Sequence, residues 1–152
     1  MINWKIKSFE QLNSIELYRI LQLRINIFML EQNCLYPECD DKDFKAKHLF
    51  GMDEYGIIAY ARLLPPEISY KDASIGRVIV SPNYRGQKLG YKLMELAIEN
   101  MYSDFPSVDI RISAQSHLQN FYEKLDFVKV SDEYLEDDIP HIEMLLKNKK
   151  SG

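Results

Sequence analysis

Only two cysteines, Cys34 and Cys39, occur in the 152 residues, with four residues between them and no second pair. That spacing makes neither a disulfide framework nor a zinc ribbon, so both are read as free structural thiols and no metal is expected. An excess of positive charge is missing too: 19 Lys and Arg stand against 23 Asp and Glu, a net charge of −4. A nucleic-acid binder usually carries the opposite balance or a basic stripe. The one basic cluster, Lys147, Lys149 and Lys150, reads as a solvated tail. Long apolar runs are absent. The longest stretch free of Asp, Glu, Lys and Arg, Ile112 to Tyr122, is too short for a membrane span and contains His117. Lys5, Lys7, Glu10, Glu16, Arg19 and Arg24 leave no signal-peptide core near the start. Neither a membrane nor a nucleic-acid partner is expected, and the chain reads as soluble and cytoplasmic.

What is present is ordinary for a globular protein. Hydrophobic residues make up 46% and charged residues 28%, which excludes wholesale disorder, collagen and coiled coil. At ~100–200 residues per domain, 1–152 is a single domain, and no repeat or linker divides it. Two acidic clusters stand out: Glu38, Asp40, Asp41 and Asp43, then Asp132, Glu133, Glu136, Asp137 and Asp138. Acidic loops usually serve solubility; if both flank one cleft they attract a cationic ligand such as an amine.

Alternation at Ile2, Trp4 and Ile6 predicts a strand over 2–8. Leu17, Leu21, Arg24, Ile25 and Phe28 recur at helical spacing and predict an amphipathic helix over 12–32, followed by a polar loop over 33–45. Strands are expected at 46–54, 57–65 and 74–81, the first two joined through Glu54-Tyr55-Gly56. A second helix is expected at 87–102, a strand at 108–114, a third helix around Leu118–Leu125, and strands at 127–131 and 140–147. The order β α β β β α β α β β is an α/β (α+β) pattern: one mixed sheet with helices on both faces.

The most informative stretch is Ile79-Val80-Ser81-Pro82-Asn83-Tyr84-Arg85-Gly86-Gln87-Lys88-Leu89-Gly90. An apolar strand runs into a basic, glycine-spaced loop and then a helix. Such a turn aims backbone N–H groups at one spot, which favours an anion. It is not a P-loop, since no Gly-Lys-Ser/Thr follows, nor the dinucleotide fingerprint, since its glycines lie four apart. Taken alone, it reads equally as a tight turn that binds nothing. A second segment, Ala114-Gln115-Ser116-His117-Leu118-Gln119-Asn120-Phe121-Tyr122-Glu123-Lys124-Leu125-Asp126-Phe127, also follows a strand.

Together the two segments resemble the GNAT family of acetyl-CoA-dependent N-acetyltransferases. In the family's Gln/Arg-x-x-Gly-x-Gly/Ala loop, Arg85 and Gly90 match and Lys88 stands at the middle Gly. In the later segment Tyr122 matches, Gln115 replaces an Asn, and Asp126-Phe127 replaces Gly-Phe. The runs Leu23–Cys34, Tyr60-Ala61-Arg62, Ile75–Val80, Ala114-Gln115 and Ile139-Pro140-His141-Ile142 resemble the ElaA-like subgroup, in order and at its spacing.

The resemblance implies a mixed, mostly antiparallel sheet of 6–7 strands, opened so that the pantetheine arm of acetyl-CoA lies along Val78, Ile79 and Val80 like an added strand. It implies pyrophosphate on the amides of Arg85, Gly86, Gln87, Lys88, Leu89 and Gly90, with Gln115 nearby, and an amide near Val80 polarising the thioester carbonyl. Core packing of Val78 to Val80 is compatible with this, because their side chains pack while their backbone binds. Tyr122 matches the family's general acid, though its place in the apolar stripe is also a core position. A phenol of pKa ~10 giving its proton fully to a thiolate of ~8.5 is uphill by ~2 kcal/mol, so hydrogen bonding to the sulfur is the expected role.

The amine must be neutral before it attacks, which requires a base, directly or through water. The candidates are Glu31, His48 and His141; Gln32, His48, Arg77 and His141 are expected on the acceptor side. Glu31 reads equally as a surface carboxylate at a helix end, and His141 as a hydrogen-bonded sheet histidine. Arg24, Arg62 and Arg77 interrupt apolar faces, so they either anchor the acceptor or brace carboxylates. The resemblance implies direct acetyl transfer to a primary amine of a small molecule or peptide, probed by the alternative of a non-catalytic acyl-CoA sensor. A homodimer is compatible with the sequence.

Overall fold

A computed structural model describes residues 1–33 and 36–149. Cys34 and Lys150 lie outside these residues; Cys39 is free and exposed.

Strand β1 (Asn3–Ser8) precedes helix α1 (Ser14–Ile25), which continues as a π-helical turn over Asn26–Glu31. The helix starts at residue 14 because Asn13 caps it. The Asn13 side chain accepts the Glu16 N–H at 2.7 Å, and the Glu16 carboxylate accepts the Asn13 N–H at 3.0 Å, closing a capping box. Strands β2 (Lys47–Asp53), β3 (Gly56–Leu64) and β4 (Ala73–Val80) form an antiparallel meander. Helix α2 (Leu89–Asp104) crosses to β5 (Ile110–Gln115). A short 3-10 turn at Ser116–Leu118 leads into α3 (Gln119–Glu123). Strands β6 (Val128–Lys129), β7 (Tyr134–Glu136) and β8 (Ile139–Leu146) follow.

The strands form one sheet ordered β1-β2-β3-β4-β5-β8-β6, with β7 paired to β8. Eight strands replace the expected 6–7. The additional one is β7, which hairpins onto β8 through Asp137 and Asp138, both at positive φ (51° and 64°). Two left-handed residues in a two-residue loop are the conformation that matches strand twist. Helices cover both faces, as the sequence implied. On one face Ala59, Ala61 and Leu63 pack with Leu93, Met94, Ala97 and Met101 of α2. On the other, Phe50, Tyr60 and Ile79 pack with Ile20 and Ile27. Each fully buried large apolar side chain contributes ~1.5–3 kcal/mol.

Among the described residues the only parallel pairing in the sheet is β4 with β5, and it is brief. Ala73 pairs with Ile110 and Ser74 with Arg111, after which the strands are no longer paired. The cause lies in β4. Tyr60 faces Ile79 while Arg62 faces Gly76, so β4 carries one extra residue there, and Arg77 takes φ +50°. A bulge of this kind bends its strand and increases its twist.

Candidate active site

The divergence of β4 and β5 opens a cleft of about 370 Å³ through the sheet. Gly76, Arg77 and Val78 line it from β4, and Ala114 and Gln115 from β5. Beyond Ser74 the β5-facing backbone edge of β4 has no strand partner. Val78 lines the cleft, Ile79 turns its side chain into the α1-side core, and Val80 lies opposite Ala59.

The loop after β4 ends at α2. Gly86 has φ +86°, and a Cβ there would meet nothing within 4 Å, so the loop is open on that side. Lys88 has φ +60° and ψ 20° and caps α2 with its backbone only. It therefore adopts the left-handed conformation that a glycine supplies most cheaply. Asp126, in place of the usual Gly, does the same at φ +72°. Gln87 is exposed. Gly90 fits under Phe121, whose ring lies 3.3 Å from the position of an added Cβ. The first-turn amides of α2 have no side-chain cap, which suits them to an anionic group.

Arg85 Nε donates to the Val80 carbonyl at 3.1 Å, and its Nη1 lies 2.9 Å from Glu31. Glu31 is thus brought to the loop and does not line the cleft with Tyr122. Gln32, its neighbour, does line the cleft and accepts from Gln115 Nε2 at 3.3 Å.

Tyr122 lines the cleft and is 6% exposed. Its ring packs edge-on to Phe121 and Phe127. Burial pushes the phenol up to about 12, and its hydroxyl finds no hydrogen-bond partner among the described residues. The sequence left open whether Tyr122 packs or reaches the cleft; its ring does the first and its position does the second.

His48 is in a different place from the one expected. It is fully buried away from the cleft lining. Its Nε2 donates to the Asp43 carbonyl at 3.0 Å, which leaves Nδ1 to accept from the Tyr60 hydroxyl at 2.6 Å. Burial lowers its pKa, so it stays neutral with both nitrogens taken. His48 is a structural residue and has no lone pair for an acceptor amine.

The first acidic cluster is also reassigned. Arg24, fully buried, binds Glu38 and Asp43; Arg62 binds Asp40 in a two-pronged pair at 2.8 and 3.0 Å; Arg77 reaches both Glu38 oxygens at 3.1 Å. Three guanidinium groups match three carboxylates. Burial alone would raise Asp43, but the Arg24 and Arg62 contacts outweigh it and hold the carboxyl below its usual range. Of the four acidic residues these pairs leave only the exposed Asp41, so the cluster supplies little field for a cation. Its role is to tie α1 and the residues 36–43 to the β4 bulge at Arg77.

The second acidic cluster does reach the cleft, through Glu136 and Asp137. Here β7 lays Tyr134 and Glu136 beside His141, which is 7% exposed and lines the cleft. His141 Nδ1 donates to the Ile139 carbonyl at 2.6 Å, and its Nε2 lies 3.5 Å from Glu136. Ser113 donates to Glu136 at 3.0 Å and is bonded to the Tyr134 hydroxyl at 2.5 Å. Glu136, Tyr134 and Ser113 were not singled out from the sequence. The signal that could have found them is the short alternation before Asp137-Asp138, a weak hairpin pair beside Asn-Gly.

The sequence matches the acetyltransferase (GNAT) domain family over residues 29–148. The chain belongs to the GNAT acetyltransferases. It is similar to protein ElaA of Escherichia coli K12, with 40% identity over 146 residues, 95% of each chain. The crystal structure of E. coli ElaA superposes with a TM-score of 0.92 at 38% identity, covering 97% of this chain and 100% of that one. A solved acyl-CoA N-acyltransferase from Pseudomonas aeruginosa superposes equally well, TM-score 0.92 at 40% identity, covering 96% and 99%. GNAT membership makes the protein an acyltransferase that draws on an acyl-CoA. Among the described residues no helix is long and apolar enough to cross a membrane.

Proposed function

We propose that this GNAT protein is a cytoplasmic enzyme that transfers the acetyl group of acetyl-CoA directly to a primary amine of a small molecule or peptide. The observation that carries the reading is the opened β4–β5 cleft with Tyr122 on its wall, the residue buried and its hydroxyl in no hydrogen bond with the other described residues.

The residues present fit acetyl-CoA. The unpaired edge of β4 at Val78–Val80 offers N–H and C=O groups to the pantetheine amides, as strand addition requires. The Arg85–Gly90 loop and the uncapped start of α2 offer donors and positive charge to the diphosphate. Val80 N–H is the candidate donor to the thioester oxygen, and Gln115 the cleft-wall amide beside the arm. Transfer is direct in this reading; among the described residues no cysteine lines the cleft, and Cys39 is exposed outside it. The amine attacks the thioester carbon and the carbon–sulfur bond breaks. Tyr122 stabilises the departing thiolate by hydrogen bonding as charge builds on sulfur.

A non-catalytic acyl-CoA sensor would use the same loop, but it has no use for the partnerless Tyr122 hydroxyl. The test is free-thiol release from acetyl-CoA with a panel of primary amines. Amine-dependent release at catalytic rates is expected. Tight acetyl-CoA binding with no release for any amine would return the protein to the sensor reading.

A further inference from the structure

The β7–β8 hairpin builds a proton-accepting pair into the cleft wall. The Ile139 carbonyl can only accept, so His141 carries its proton on Nδ1. That leaves the Nε2 lone pair 3.5 Å from the Glu136 carboxylate. In the neutral imidazole two acceptors thus face one another, and a proton taken up on Nε2 is held against the Glu136 carboxylate. The rest of the environment holds this arrangement in place. His141 stacks on Tyr134 with centroids 6.2 Å apart, and Ser113 fixes Glu136 from β5. Ser113 donates to Glu136, so Tyr134 in turn donates to Ser113. A group with two N–H donors, as an ammonium is and a carboxylate is not, satisfies both acceptors at once.

We infer that Glu136 and His141 form the acceptor-amine site, where an alkylammonium bridges the two side chains and His141 Nε2 takes its proton. This rests on the acetyl-transfer reading and adds the base and the substrate class to it. The ammonium R–NH3⁺ gives one proton to Nε2 and becomes R–NH2. Its lone pair forms the bond to the acetyl carbon, the carbon–sulfur bond breaks, and the electron pair leaves on sulfur. The second nitrogen proton is lost as the amide forms and balances the one that converts the thiolate to CoA thiol. His141 releases the first proton to solvent, so each turnover frees one H⁺. With the Glu136 carboxylate beside His141 Nε2, amines that carry a carboxylate close to the nitrogen are disfavoured by like charge. The favoured class is an aliphatic amine or diamine.

The experiment uses the full-length protein loaded with CoA and titrated with butylamine, 1,4-diaminobutane and β-alanine. The ring carbon-bound proton signal of His141, assigned with His141→Gln, is followed by NMR. Butylamine and the diamine are expected to saturate and move that signal, and β-alanine to bind at least tenfold more weakly. Glu136→Gln should weaken butylamine binding roughly tenfold to a hundredfold, with acetyl-CoA affinity within about twofold. Saturation that leaves the His141 signal in place, or no saturable amine binding, overturns the inference.

In turnover, His141→Gln should lower kcat/KM for butylamine by roughly 10²–10⁴-fold and remove the acid limb of its pH profile. Added imidazole should restore part of the rate of His141→Ala. The charged and titratable groups around His141 are Glu136, Asp137 and Tyr134 on the hairpin, Glu143 on β8, Arg111 on β5, and Tyr70 before β4. Glu136→Gln in a His141-intact protein separates their contribution to that limb from the imidazole's own. A His141→Gln protein within tenfold of wild type, with the limb retained, overturns the base role. Amine binding at His141 with no thiol release from the wild type would fail the transfer reading and leave the amine site standing.

Discussion

Tyr122→Phe separates chemistry from packing at a single atom. The ring fills the core against Phe121 and Phe127, and Phe preserves that contact. The hydroxyl adds no hydrogen bond within the described protein, so removing it should leave folding stability within about 1 kcal/mol or slightly raise it. Burial pushes the phenol up to about 12. Full proton transfer to a thiolate of ordinary pKa ~8.5 would therefore be uphill by roughly 5 kcal/mol, so the hydroxyl acts as a donor to developing charge and not as a full acid. A donor of that kind is worth roughly 10² in rate, or about 2.7 kcal/mol. The assay is single-turnover acetyl transfer to the best amine, paired with the acetyl-CoA dissociation constant and urea unfolding. The expected pattern is a roughly 100-fold slower chemical step, unchanged acetyl-CoA affinity, and unchanged stability. The phenol favours its neutral form in the folded protein, so no alkaline limb near pH ~10 should come from Tyr122. Equal single-turnover rates, or an alkaline limb near that pH lost in Tyr122→Phe, would refute the reasoning.

Three further outcomes follow from other parts of the molecule. Gly86→Glu forces a side chain into a φ of +86° and sets negative charge beside the proposed diphosphate site; calorimetry should show acetyl-CoA binding lost in a folded protein, and undiminished affinity would move the site elsewhere. Arg24→Met leaves buried Glu38 and Asp43 each short of one guanidinium and should cost about 3–5 kcal/mol in urea unfolding; a loss under about 1 kcal/mol would contradict the buried network. Burial depresses His48, and the arginine contacts depress Asp43 and Asp40 against their own burial, so the unfolded chain binds more protons than the folded one at acid pH. These contributions are complete above the ordinary values of about 6.5 for His and about 4 for Asp, and are lost as pH falls through the lower folded values. The urea midpoint should therefore fall as pH drops below about 6.5, and less so in His48→Gln; a flat or rising midpoint would contradict the sign.

Among the described residues the periodicity of the sequence located all three α-helices and all strands but one, because amphipathic spacing is local. Strand β7 escaped because Tyr134-Leu135-Glu136 is short, acidic and exposed, and pairs only through a turn of two aspartates. The bulge at Arg77, which opens the cleft, was not legible either: a bulge is defined by register against a partner strand, and no local signal marks it. Lys88 and Asp126 looked like departures from the family pattern, yet both take a left-handed conformation that glycine reaches freely, at a cost of ~1 kcal/mol each relative to glycine. The acidic run at residues 38–43 suggested a field for cations. Its arginine partners lie on α1, β3 and β4, and only the folded sheet brings them together. The same holds for His48 and His141. As letters they are equivalent; the register sends one into the core behind Tyr60 and the other onto the cleft wall beside Glu136.

The central claim is that the β4–β5 opening presents the acyl thioester to Tyr122. A crystal structure of the protein with bound CoA tests it most directly. The account predicts the pantetheine arm alongside Val78–Val80, the diphosphate on the Arg85–Gly90 amides, and the sulfur within hydrogen-bond reach of the Tyr122 hydroxyl. A CoA whose thiol ends outside the opening, or a Tyr122 hydroxyl turned from the sulfur, would contradict it.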